Sequence, residues 1–211
     1  VSIAQENIRN RPSIVNKGGI TESKVSGSPP TLRVFIALWP SPETAAALMP
    51  WVHTAQAACG GRMMARDTLH LTLAFLGAVS LEQAHTLSRV VPAWRAPMGA
   101  LTLSRFGCFA GPRVVWAGPS DLPDERPRWL DDLYASVWDR LRPLGWEPDH
   151  PVFRPHVSLL RRARHCDVSA LSMPPLTWTP ERCVLVASQP DRHASRYRVL
   201  AAMHGCTLAP G

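Results

Sequence analysis

Residues 69–75 read Leu69-His70-Leu71-Thr72-Leu73-Ala74-Phe75, and the alternation in this stretch carries the reading of the fold. A β-strand turns successive side chains to opposite faces. Leu69, Leu71, Leu73 and Phe75 then form one apolar face against a core, while His70 and Thr72 share the other, roughly 6.5–7 Å apart along the strand. Farther along the chain, Pro155-His156-Val157-Ser158-Leu159 repeats the device. Val157 and Leu159 point one way, His156 and Ser158 the other. Polar residues at alternate positions are what any half-buried strand requires, so one such segment says little. Two segments, each pairing an imidazole with a hydroxyl, say more.

Working outward, Leu32 to Trp39 (LRVFIALW) is a mainly apolar run closed by Pro40, the pattern of a buried strand. Ser41-Pro42-Glu43 opens a helix through Ala45–Ala58, with a kink expected at Pro50 and a stop at Gly60-Gly61. The alternating strand spans Thr68 to Leu76, and Ser80 and Glu82 begin a second helix running to about Trp94. Strands follow at Ala100–Phe106 and Arg113–Ala117, the second after the Gly111-Pro112 turn. A third helix spans Asp124 to Leu144, and short strands lie at Val152–Leu160, Arg182–Ser188 and Tyr197–Met203. Strand, helix and alternating strand thus occur twice, from Phe35–Trp39 to His70–Phe75 and from Val114–Ala117 to His156–Leu159. The order is α+β, and the echo predicts two similar lobes facing one another.

Composition narrows the function classes. With 45% hydrophobic and 18% charged residues among 211, the chain reads as globular rather than disordered. No apolar run approaches the ~18–20 residues of a membrane span, and the first residues lack the apolar core of a signal peptide. A soluble, cytoplasmic protein without membrane partners is the expectation. The net charge of +7 favours polyanionic partners such as nucleic acid, although basic solvated faces are common. Cys59, Cys108, Cys166, Cys183 and Cys206 form no Cys-x-x-Cys pair, so they read as reduced thiols, and neither a metal nor a cofactor is expected.

Residue usage changes near residue 30. Both lysines, all three asparagines and four of the five isoleucines lie in residues 1–30, whereas residues 31–211 carry nineteen arginines and no lysine. Nineteen arginines against fourteen acids leave +5 for that larger part. Residues 1–30, rich in Ser, Gly and Pro and without periodicity, read as a disordered leader or as an extension upstream of the true start. Residues 31–211 read as one bilobal domain.

Phe35-Ile36-Ala37-Leu38-Trp39-Pro40, His70-Leu71-Thr72-Leu73-Ala74-Phe75-Leu76-Gly77 and Phe153-Arg154-Pro155-His156-Val157-Ser158-Leu159 together resemble the 2H phosphoesterases, in particular their RNA 2′,3′-cyclic phosphodiesterase (2′-5′ RNA ligase) branch. The likeness runs in order from about Leu32 to Met203 and takes in Gly111-Pro112-Arg113-Val114-Val115-Trp116 and Tyr197-Arg198-Val199-Leu200. It departs from the family at Ser158, where threonine is usual. Serine keeps the hydroxyl and loses the methyl that restrains χ1. The resemblance implies two pseudo-twofold-related antiparallel sheets with outer helices, lining a central cleft with both motifs.

It further implies metal-independent hydrolysis of RNA 2′,3′-cyclic phosphate ends to 2′-phosphate, with reversible 2′-5′ ligation as a further activity. In the family pattern His70 is the proton donor to the 3′ oxygen and His156 the acceptor from water, although the sequence alone does not fix which is which. Thr72 and Ser158 donate to the non-bridging oxygens. Arg161 reads either as a phosphate clamp or as part of a solvated loop. Arg154 extends the basic cleft toward RNA phosphates. Phe35 and Trp39 either stack on a base or, as the commoner fate of such residues, pack in the core. Two further readings stay open: the same site acting on a small cyclic nucleotide or ADP-ribose cyclic phosphate, and a non-catalytic module that binds RNA ends. A monomer is expected.

Overall fold

The computed structural model describes residues 30–120, 126–150, 152–164, 167–190 and 195–207. Residues 1–29 of the leader, and the first two residues of the helix expected from Asp124, lie outside them. The first strand, β1 (Thr31–Trp39), buries Val34, Ile36 and Leu38 on one face and Phe35 and Ala37 on the other, as a strand covered on both sides must. Helix α1 (Pro42–Cys59) starts where Ser41 Oγ accepts from the Thr44 amide at 3.2 Å, has Pro42 in its first turn, and ends at Gly60, whose φ is 58°. It runs through Pro50 as one element.

A two-residue strand, β2 (Arg62–Met63), and a 3₁₀ turn over Arg66–Thr68 precede β3 (Leu71–Ser80). The expected strand from Thr68 therefore begins three residues late, because the Thr68 amide and hydroxyl both bond the Ala65 carbonyl. Helix α2 (Leu81–Val90) opens with a reciprocal cap between Ser80 and Gln83 and passes into a 3₁₀ turn at Val91–Ala93. The expected Ala100–Phe106 strand is split into β5 (Leu101–Leu103) and β6 (Arg105–Phe109), preceded by β4 (Arg95–Met98). Then come β7 (Val114–Gly118), α3 (Arg128–Leu141), β8 (Val157–Arg161), β9 (Leu176–Trp178), β10 (Arg182–Pro190), β11 (Ser195–Ala202) and β12 (His204–Thr207).

The main sheet has the order β11-β10-β1-β3-β8-β7-β6, with β2 also paired to β8. Its two halves mirror one another: β10-β1-β3 on one side, β6-β7-β8 on the other. They join through a single antiparallel pair, Leu71 with Val157. The two sheets of the family arrangement thus meet edge to edge. The units β1-α1-β3 and β7-α3-β8 are the repeated strand–helix–strand pattern. Each helix packs crosswise, α1 under β8 and α3 under β3. One apolar cluster, including Val34, Leu48, Leu71, Leu133, Leu141 and Val157, lies beneath both halves.

Four short strands escaped sequence reading: β2, β4, β9 and β12. Strand β12 pairs with β4 in parallel, and β9 pairs with β5. Each has only two to four residues, too few for a periodicity to register. Cys59 is disulfide-bonded, which corrects the reading of every cysteine as a reduced thiol; Cys108 and Cys183 are free. Among the described residues no helix is long and apolar enough to cross a membrane.

Candidate active site

The junction of the two halves positions both histidines. His70 lies between the 3₁₀ turn and β3, and its Nδ1 sits 2.6 Å from the Thr68 carbonyl oxygen. His156 directly precedes β8, and its Nδ1 sits 2.7 Å from the Arg154 carbonyl oxygen. A carbonyl oxygen only accepts, so each ring donates Nδ1–H to the residue two before it. That bond fixes the tautomer and leaves Nε2 of the neutral ring with its lone pair available.

Leu71 and Val157 face each other across the junction with their side chains in the core. One step out along each antiparallel strand, His70 comes opposite Ser158 and Thr72 opposite His156, all four on the other face. Each imidazole is thus matched across the strands by the hydroxyl of the opposite motif. Among the described residues neither the Thr72 nor the Ser158 hydroxyl has a hydrogen-bond partner.

Two β-bulges complete the cleft face. In β3 the register passes from Ala37–Thr72 to Ile36–Ala74, leaving Leu73 as the extra residue. In β8 it passes from Trp116–Ser158 to Val115–Leu160, leaving Leu159 extra. A bulge reverses the alternation beyond it. Leu73 and Ala74 are therefore both buried, as are Leu159 and Leu160. Phe75, expected on the core face, turns to the cleft face and is 40% exposed. Arg161, which strict alternation would send toward the core, turns to the same face beside Ser158. Each motif consequently presents a third side chain five residues after its histidine: Phe75 in one half, Arg161 in the other.

The surroundings of the two rings differ. His70 lies between Phe35, with ring centroids 4.8 Å apart, and Trp39, at 5.2 Å and an interplanar angle of 4°; Tyr197 of β11 adds an edge contact at 5.4 Å. Phe35 is buried in the smaller apolar cluster with Ala37, Val184 and Val186, and Trp39 packs against that cluster, as the core reading expected; from there both rings clasp His70. Around His156, Phe109 makes an edge contact at 4.9 Å and Trp116 stands tilted at 6.0 Å. Trp116 lies flat over Gly107, where a Cβ would come within 2.0 Å of the indole ring.

Burial pushes the His70 pKa down to about 4, helped by the charges of Arg161 and His156 and opposed by the bond to Thr68. His156 is lowered too, again by burial first and then by Arg161, against the bond to Arg154. Both rings are therefore neutral near pH 7. Arg161 is exposed, has no ion pair among the described residues, and is close enough to act on both rings.

A cavity of about 670 Å³ opens from this centre on the His156 side. Its walls include Thr72, Phe75, Phe109, Tyr134, Phe153 and His156, and the exposed Arg154 stands in its lining. The structure thus gathers His70, Thr72, His156, Ser158 and Arg161 at one junction, with Arg154 at the cavity. Phe75, Phe109, Trp116 and Tyr197 joined the site unforeseen. The strands carrying Trp116 and Tyr197 were expected, at Arg113–Ala117 and Tyr197–Met203, but nothing in their alternation marked either side chain for the site. Among the described residues no group of three or more His, Cys, Asp or Glu side chains is placed to hold a metal ion.

The family model described as LigT-like phosphoesterase matches residues 38–116. The RNA 2′,3′-cyclic phosphodiesterase of Escherichia coli is 34% identical over 172 residues, covering 80% of this chain and 93% of that protein. The protein of the same name from Aeropyrum pernix is 31% identical over 98 residues, 45% of this chain and 53% of that one. Among solved structures, Escherichia coli LigT in its apo form superposes with a TM-score of 0.66 at 33% identity, covering 82% of this chain and 98% of that one. LigT complexed with 3′-AMP matches with the same TM-score and identity, over 82% of this chain and 97% of that one.

Proposed function

The chain belongs to the LigT-like phosphoesterases, and from that membership we propose that it hydrolyses RNA 2′,3′-cyclic phosphate ends to 2′-phosphate by paired-histidine acid–base catalysis. The observation that carries this reading is the reciprocal arrangement at the junction, each imidazole opposite the other motif's hydroxyl across the Leu71–Val157 pair. A cyclic phosphodiester between the rings receives a hydrogen bond from Thr72 and one from Ser158 on its non-bridging oxygens, with Arg161 balancing their charge.

His156 Nε2 takes a proton as water attacks phosphorus. The P–O3′ bond breaks, and His70 Nε2 gives its proton to the departing 3′ oxygen. The 2′ oxygen keeps the phosphate, and solvent returns the proton from one ring to the other between turnovers. Burial disfavours a charged imidazole; the phosphate anion, once bound, supplies the countercharge that lets His70 hold its proton. The cavity with Phe75 on its wall takes the terminal nucleoside. An RNA 5′-hydroxyl in the place of water would give a 2′-5′ linkage, and the reverse of that step exchanges the two rings' roles.

The test is incubation with a short RNA ending in 2′,3′-cyclic phosphate, in EDTA, with analysis of the product. A 2′-phosphate end is expected, and His70→Ala and His156→Ala each lower the rate about 10²–10⁴-fold. Binding without turnover would leave an RNA-end-binding module. Turnover of small cyclic nucleotides or ADP-ribose cyclic phosphate, with RNA ends untouched, would move the same chemistry to another substrate.

A further inference from the structure

Five exposed arginines gather where the cleft face runs out past Arg161: Arg62 on β2, Arg113 just before β7, and Arg161, Arg162 and Arg164 at and after the end of β8. Their backbones are locked together. Arg62 stands directly opposite Arg161 in the β2–β8 pair, so both side chains leave the sheet on the same face. The Ala163 amide bonds the Arg113 carbonyl at 3.0 Å, and the Arg164 amide bonds the Cys59 carbonyl at 2.9 Å. Gly61, with φ at 89°, lets the turn before β2 lie against β8: a Cβ there would come within 2.8 Å of the Ala163 Cα and 2.9 Å of the Arg161 oxygen.

The arrangement is unfavourable without an anion. Like charges directly opposite on paired strands are destabilising. Arg113 and Arg162 are the only non-glycine positive-φ residues among those described, at 53° and 56°, a conformation that disfavours a long side chain. None of the five has an ion pair among the described residues, whereas Arg126 pairs with Asp131 and Arg142 with Asp139 and Glu147. Nearby, the Asp167 carboxylate is engaged with the Ser169 amide and hydroxyl. Charge and backbone strain without internal compensation, continuous with Arg161, whose charge reaches both histidines, mark a surface built for a polyanion.

The geometry points to a track for the RNA backbone, in which Arg62, Arg113, Arg162 and Arg164 hold phosphates of the strand leading up to the cyclic end while Arg161 holds the reacting phosphate. This rests on the proposed reaction and adds to it the substrate class: an oligonucleotide end in preference to a cyclic mononucleotide.

The test uses the full chain carrying Arg62→Ser, Arg113→Asn and Arg162→Asn together, asparagine being at ease at positive φ. For a ten-nucleotide RNA with a 2′,3′-cyclic end, kcat/KM is expected to fall at least tenfold at low salt, while turnover of a 2′,3′-cyclic mononucleotide stays within twofold and reports intact folding. Binding of a labelled RNA ending in 2′-phosphate, read by anisotropy, is expected to lose about 2 from its log–log salt slope, at roughly 0.7 for each of three lost single-strand contacts. Equal effects on both substrates, or an unchanged salt slope, would overturn the track. A wild-type chain that turns over neither substrate would defeat the proposed reaction instead, and the anisotropy measurement would still decide the track.

Discussion

The low proton affinity of His70 makes a prediction that needs no substrate. With the ring held between Phe35 and Trp39, its pKa lies at about 4 instead of 6.5. In the unfolded chain the hydrated imidazole takes up its proton as pH falls through 6.5; in the folded chain it does not do so until about 4. Between those values the unfolded state binds more protons, so the free energy of unfolding falls as the solution is acidified. The contribution is absent above about pH 7.5, where both states are neutral. The drop from 6.5 to about 4, at about 1.4 kcal/mol per pH unit, makes roughly 3–4 kcal/mol in full, most of which is lost by pH 4.5. The ring keeps a partly exposed edge, so screening makes these upper values. The assay is urea unfolding between about pH 7.5 and pH 4.5 for the wild type and His70→Asn. The asparagine amide can still donate to the Thr68 carbonyl but does not titrate. The wild type is expected to lose up to about 3 kcal/mol more than the variant over that range. Parallel stability curves would refute the claim that the folded chain resists protonation of His70.

Two further substitutions probe the walls of the site. Trp39→Leu removes the indole stacked on His70, and kcat is expected to fall about tenfold, about 1.4 kcal/mol, with KM held within about twofold. Trp39→Phe should recover most of the loss, whereas KM and kcat effects of equal size would place Trp39 against the substrate. Gly107→Ala puts a methyl where the Trp116 ring already stands, with 2.0 Å available. Overpacking of that kind costs ~1–3 kcal/mol, a thermal midpoint lower by roughly 2–10 °C. An unchanged midpoint would show that Trp116 yields without cost.

The two half-sites are built by one device and differ at its third position. Histidine, hydroxyl, bulge and then a cleft-facing side chain occur in both, but the last is Phe75 in one half and Arg161 in the other. The difference gives the cleft a direction. Apolar surface suited to a base lies along the cavity by Phe75, and positive charge suited to phosphates continues outward from Arg161.

The chain's own residues were enough to specify what is local. The Ser41-Pro42 start of α1 and its Gly60 stop, the Ser80 cap of α2, the apolar run of β1, and the placing of His70 with Thr72 and of His156 with Ser158 all depend on neighbours within a few positions. The fates of Phe75 and Arg161 were decided elsewhere. Alternation has a period of two, and one extra residue reverses every side chain beyond it. Whether Leu73 or Leu159 is that extra residue depends on register against β1 and β7, strands more than thirty residues away in sequence. The meeting of the two motifs at one Leu71–Val157 pair, the clasp of Phe35, Trp39 and Tyr197 on His70, and the facing of Arg62 with Arg161 are likewise long-range contacts. Such contacts arise only when distant strands lie side by side, so no local pattern can encode them.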